Sequence, residues 1–167
     1  MQTAWMVRAG EGGKRAELML EQGIVAFNAS WVGDLGSCRS PSAMEAELRA
    51  RPEEIRAEVG ESHVGRARGW ARQLWTFIDG MQVGDMVVMS HARGTSYSIG
   101  QVRGRYEHRL DIDPEATHTR KVEWLRCRVS REAVSAVSQD LREALKRRPT
   151  VFEISGFGPE LRRLAGF

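Results

Sequence analysis

Trp70 and Trp75 open the stretch WARQLWTFIDGMQVGDMVVMSHARGTSYSIGQVRGRY, which runs from residue 70 to residue 106. An indole there can fill a core, or it can wall a slot that grips a flat ring, since stacking a base on an aromatic side chain contributes about 1–3 kcal/mol. Trp70 lies on the apolar stripe of its helix, where core packing is the commoner outcome. Trp75 sits about one hundred degrees round the helix from Leu74, so it can point toward the mouth of a sheet or pack on a neighbouring strand. Trp31 follows the run IVAFNAS and precedes VGDL, a strand-to-loop position where burial is harder to arrange. For Trp31 both a ring-gripping and a core role stay open. Trp5 and Trp124 fall on internal strands and read as core.

The second chemistry is that of arginine. Of 25 basic residues only Lys14, Lys121 and Lys146 are lysines, with a formal net charge of +3 and a pI near 9.2. A planar guanidinium binds phosphate through two donors and stacks on bases, so this composition leans toward nucleic acid. A GC-rich genome and a solvated surface explain the same bias equally well. Arg68, Arg72, Arg93, Arg103, Arg105 and Arg109 gather around the Trp70 helix and the hairpin after it, and are the candidate phosphate contacts. Arg142, Lys146, Arg147 and Arg148 form a separate run that reads as a solvated helix end favoured by the helix dipole.

The elements that must position these side chains follow from periodicity. Apolar residues at Trp70, Leu74, Phe77, Ile78 and Met81 describe one helical face. TAWMVRA, IVAFNAS, VGDMVVMSH, TSYSIGQVRGRYEHR, RKVEWLRCRVS and TVFEI read as strands, with Gly100 and Gly104 marking bulges or close backbone approach. RKVEWLRCRVS has no clear inner face. KRAELMLEQ reads as a helix stopped by Gly23. Residues 41–61 read as two short surface helices parted at Pro52, residues 111–119 as a loop, and GPELRRLAGF as a closing helix. The expected architecture is a single α+β domain over residues 1–167: a curved mixed sheet or open barrel of five to six strands with peripheral helices.

Composition and motifs also narrow the function. The 167 residues hold 41% hydrophobic side chains, enough for one domain with a proper core. No apolar run is long enough to cross a bilayer, and no signal peptide is evident, so a cytoplasmic location and no membrane partner are expected. Cys38 and Cys127 are too isolated for a disulfide framework or a zinc site. GEGGK lacks the length and terminal Ser or Thr of a phosphate loop, and no strand is followed by GxGxxG. His63, His91, His108 and His118 are scattered outside any zinc-hydrolase context. A binding protein without metal, cofactor or catalytic residues is expected.

ARQLWTFIDGMQVGDMVVMSH followed by YSIGQVRGRYEHR resembles the central segment of EVE domains, in the PUA-like superfamily that includes ASCH and YTH folds. The shared pattern is a helix ending in M-x-x-GD-x-VV, a strand ending near a histidine, then IG-x-V-x-G-x-Y. AWMVRAGEGG, GIVAF…W-x-GDL, H-x-R-x-VEW and TVFEI look like the N-terminal EVE-like module of Mrr-type, modification-dependent restriction endonucleases. The likeness covers residues 3–154. It implies a PUA-like fold that accepts one base swung out of double-stranded DNA, of the 5-methylcytosine or 5-hydroxymethylcytosine type, within a restriction or defence system. Trp31 matches the family's cage tryptophan and His91 its strand-end histidine. Asp34 would accept from a cytosine amino group while Asn28 and Ser30 read the remaining edge, although turn chemistry explains these three as well. Restriction members carry a nuclease domain downstream, so a nuclease domain or subunit is an implied partner. The resemblance leaves open a piece of a longer nuclease or a free-standing reader, and residues 41–61 are more charged than the family leads one to expect. RNA-binding PUA-like modules and ASCH-like hydrolases of modified nucleosides are the alternatives.

Overall fold

The strand β1 (Ala4–Arg8) alternates between two cores: Trp5 and Val7 enter one, Ala4 and Met6 the other. The strand β3 (Met86–His91) repeats this, with Val87 in the first core and Met86 and Val88 in the second. A sheet covered on both faces needs apolar side chains on both, which is why these segments read as near-continuous hydrophobic runs. The computed structural model describes residues 2–51, 53 and 67–167. Its sheet has six strands in the order β2-β5-β4-β3-β1-β6, where β2 is Ile24–Phe27, β4 Ser96–His108, β5 His118–Ser130 and β6 Val151–Glu153. β1 and β3 are parallel, with Ala4 opposite Met86 and Arg8 opposite Ser90, and every other pair is antiparallel. The sheet curls into a half-barrel with helices around it, the expected α+β class.

The helix α1 (Ala16–Gln22) stops where Gly23 turns left-handed at φ 62°. The helix α2 (Pro41–Arg49) is capped by Ser40, whose hydroxyl accepts the Ala43 N–H at 3.0 Å. The second helix expected after Pro52 lies outside the described residues, as does His63. The helix α3 (Ala67–Trp75) carries the stripe found in the sequence and continues into a π-helical turn, Thr76–Gly80. Two short helices, α4 (Arg131–Val137) and α5 (Gln139–Ala144), break at Ser138, and α6 (Gly158–Ala165) closes the chain. Among the described residues no helix is long and apolar enough to cross a membrane.

The uncertain facing of RKVEWLRCRVS has a structural cause. The register between β4 and β5 slips between Tyr97 and Gly100 and again between Val102 and Tyr106, and strict alternation ends at each slip. β5 also begins at His118, inside the segment read as loop. A Cβ on Gly100 would stand 2.6 Å from Val122 Cγ1 and 2.8 Å from the Glu123 carbonyl oxygen, so only glycine fits that approach.

One buried cation ties α3 to the sheet. Arg120 is 3% exposed. Its guanidinium donates to the carbonyls of Phe77 at 3.1 Å, Met81 at 2.7 Å and Gly104 at 3.0 Å. The first two are carbonyls at the end of the π-turn that the helix itself leaves unmet. Burial lowers the guanidinium's pKa, opposed by Asp85 and Asp79.

Candidate functional site

The curl of the sheet brings the β2 edge round toward the ends of β1 and β6 without closing the barrel. A cleft of about 210 Å³ occupies the gap. Arg8 from β1 and Thr150 before β6 line one side, and Ala26 and Asn28 from β2 and its exit line the other. Trp70 closes it from α3, and Arg15 and Met19 reach in from α1 and its approach. A cavity of about 150 Å³ is known to take benzene, so this one has room for a six-membered ring and its substituents.

Several polar groups of the cleft are unsatisfied. Asn28 Oδ1 is buried and finds no hydrogen-bond partner, and neither do Nε and Nη1 of Arg15. Arg15 is 7% exposed. Its Nη2 pairs with Glu115 and its Nε stands 3.6 Å from Asp113 Oδ1, while Nη1 lies under Gly10. Most buried polar side-chain atoms in folded proteins have partners, so an unpaired acceptor and an unpaired donor in one cleft call for an explanation. A planar ligand with both kinds of group along its edge supplies one.

Trp70 is held in place by two other rings. Phe27 meets it with centroids 5.9 Å apart and planes at 75°, and Trp31 at 6.5 Å and 73°. A helical side chain leans toward the N-terminus of its helix, so the first residue of the α3 stripe overhangs the strand ends instead of sinking between them. Trp70 is thus the cleft's aromatic wall, where the sequence favoured the core. Trp31 does not line the cleft; it is half-buried against Trp70 and the main core, with its indole N–H unpaired. Trp75 is also half-buried on that core, away from the cleft.

The loop after Asn28 is fastened by a hydrogen-bond chain. The Leu35 N–H donates to Tyr106 Oη at 3.3 Å, the Tyr106 hydroxyl to His118 Nδ1 at 2.7 Å, and His118 Nε2–H to the Ala29 carbonyl at 2.9 Å. Burial keeps His118 neutral by lowering its pKa, and pushes Tyr106 up to about 12. The sequence reading gave neither residue a place in the site, because their partners lie 12 to 89 positions away.

The remaining candidates lie elsewhere. Ser30 is exposed, and Asp34 is exposed and accepts the Gly36 N–H at 2.8 Å, a local turn. His91 is buried, with Nε2 2.6 Å from Ser98 Oγ and Nδ1 4.0 Å from Glu17 Oε1. Carboxylate, imidazole and hydroxyl fall in the order of a hydrolytic triad, but Ser98 is 0% exposed and its oxygen already accepts the Arg128 N–H at 3.1 Å. That hydroxyl is closed off from solvent, and His91 does not line the seam cleft. Arg103 pairs with Glu123 and Arg109 with Asp111. Arg105 stands beside Tyr106 in a separate groove, and Arg68 and Arg72 sit on the outer side of α3 near Glu45. Of the six predicted phosphate contacts only Arg93 borders the cleft's surroundings. The cations of the cleft itself, Arg8 and Arg15, were missed because each sits in a segment read only as strand or helix. Among the described residues no three His, Cys, Asp or Glu side chains gather as a metal site.

Fold and site together define an α+β half-barrel domain with a ring-sized, partly unsatisfied cleft at its open seam. Residues 5–154 match the family model described as a domain of unknown function, DUF8426, and the chain belongs to that family. No curated protein and no solved structure matches it.

Proposed function

We propose that this domain is an EVE-like, PUA-like reader of double-stranded DNA that takes one modified base, of the 5-methyl- or 5-hydroxymethylcytosine type, out of the helix and into the seam cleft, as the specificity module of a restriction or defence system. The observation that carries the reading is the pairing of Trp70 with the unsatisfied Asn28 Oδ1 and Arg15 Nη1 in a cleft of about 210 Å³. Trp70 supplies a ring face for stacking. Asn28 accepts from an exocyclic amino group, and Arg15 donates to a ring nitrogen or carbonyl. Together they offset the few kcal/mol that eversion costs in stacking and pairing.

The test is a fluorescence-anisotropy titration of duplexes that differ at one cytosine: plain, 5-methyl or 5-hydroxymethyl. The reading expects about tenfold or tighter binding of one modified duplex over the plain one. Equal affinity for all three, or a structured RNA that outcompetes every duplex at the same salt, refutes it.

A further inference from the structure

A second basin adjoins the cleft through a shared wall. It has a volume of about 370 Å³ and takes in Arg8, Arg93, Arg131 and Lys146, with Ser90 and Tyr97 between them. Arg8 lines both hollows. The partition is the GEGG turn: Gly10 and Glu11 face the cleft, Gly12 faces the basin, and Arg93 lies along Gly12 at 3.6 Å from where a Cβ would stand. No carboxylate lines the basin. The nearest counter-charges are exposed: Lys146 Nζ meets Glu143 at 2.8 Å, and Arg131 comes no closer than 3.9 Å to Glu132. Arg93 has no acidic partner among the described residues.

Tyr97 adds a hydroxyl to this cationic lining. It is 3% exposed, and its hydroxyl has no hydrogen-bond partner among the described residues although it lines the basin. Burial raises its pKa, while the charges of Arg8, Arg131 and Arg142 pull it back down. Four cations turned toward the same hollow repel one another unless an anion joins them.

We propose that this basin is a phosphate site that holds the phosphate attached to the nucleotide whose base occupies the seam cleft, with Arg8 bridging the two. The inference rests on the reading of the cleft as a base pocket for its geometry, but the basin's preference for an anion stands on its own residues. The ligand group is a phosphate oxyanion, from an internal diester of a strand or from the terminal monoester of a free nucleotide. Arg93 and Arg131 act as forked donors, Lys146 as a point charge, and the Tyr97 hydroxyl donates.

The test compares wild type, Tyr97→Phe, Arg131→Gln and Trp70→Ala. Anisotropy follows a modified oligonucleotide duplex at several salt concentrations, and calorimetry follows a 5′-mononucleotide, its nucleoside and inorganic phosphate. Thermal melting establishes that each variant is folded. Tyr97→Phe and Arg131→Gln are expected to weaken phosphate-bearing ligands about tenfold, and Arg131→Gln also to reduce the salt slope by about 0.9. Both should leave the modified-to-plain ratio intact. Loss of affinity for the free mononucleotide identifies a terminal monoester; loss confined to the oligonucleotide identifies an internal diester. Folded variants with wild-type affinity and salt slope overturn the phosphate site. If no duplex shows base discrimination and Trp70→Ala changes nothing, the base reading fails, and weakened inorganic phosphate binding in Tyr97→Phe and Arg131→Gln still upholds the basin.

Discussion

The indoles of Trp31 and Trp70 meet edge to face, with centroids 6.5 Å apart and planes at 73°. This contact gives the two residues different tasks. Trp70 faces the cleft, and Trp31, on the loop leaving β2, braces it from the core side. Edge-to-face aromatic pairs contribute about 0.5–1.5 kcal/mol beyond their burial, enough to favour one orientation of the wall.

The two tryptophans should therefore fail differently. Trp70→Ala removes the stacking surface and is expected to weaken binding of the preferred modified duplex by tenfold to about a hundredfold. Trp31→Ala is expected to cost about 2–3 kcal/mol of stability, with a smaller loss of affinity. Urea unfolding alongside anisotropy separates the two; an equal binding loss at equal stability contradicts the division.

Arg120 offers a test of how the cleft's helix is held. Arg120→Met leaves the carbonyls of Phe77, Met81 and Gly104 without their donor. Breaking such a buried charged network typically costs about 3–5 kcal/mol, and for a chain of this size that lowers the melting temperature by roughly 10 °C. Differential scanning calorimetry measures it, and a loss under about 1 kcal/mol would show that the π-turn is held by packing alone.

Acid should loosen the fold through its buried imidazoles. Burial lowers the pKa of His118 and of His91. The unfolded chain then binds more protons than the folded one below the ordinary histidine value of about 6.5. Stability is full above that pH and declines as pH falls toward the folded values. Urea midpoints measured from pH 8 to pH 5 should show this decline, and His118→Gln should flatten part of it. A profile that rises toward acid contradicts the assignment of neutral imidazoles.

Gly13 bears on the wall between the hollows. Its φ is 76°, and a Cβ there would lie 2.9 Å from the Ala92 backbone nitrogen. Gly13→Ala forces the GEGG turn away from the Ala92–Gly94 turn, at a cost of about 1–3 kcal/mol. Crystallography or amide exchange of the variant should show both turns displaced. Unchanged protection of the Lys14 and Arg15 amides would refute the tight contact.

How much of this was legible can be traced through individual residues. Gly23 announced a helix end because a left-handed cap is a local event. Leu74, Phe77 and Met81 announced a buried face because helical period is local too. Trp70 carries the same period yet ends at the cleft, since its fate depends on where α3 stops relative to the strand ends. Lys146 belongs to a run read as solvated, and lines the basin because Leu141 and Leu145 beside it join the core that holds Tyr97. The Tyr106–His118 contact exists only because β4 and β5 pair.

Composition, period and turn chemistry therefore determined from the sequence alone an α+β domain of five to six strands, the Gly100 approach and the α3 stripe. Each of these depends on neighbours within a few positions. Tertiary structure alone decided that Arg8, Asn28, Trp70 and Thr150 share one cleft and that Arg8, Tyr97, Arg131 and Lys146 share the next. The curl is the sum of twist over a six-stranded sheet, and no segment of the chain encodes that sum by itself.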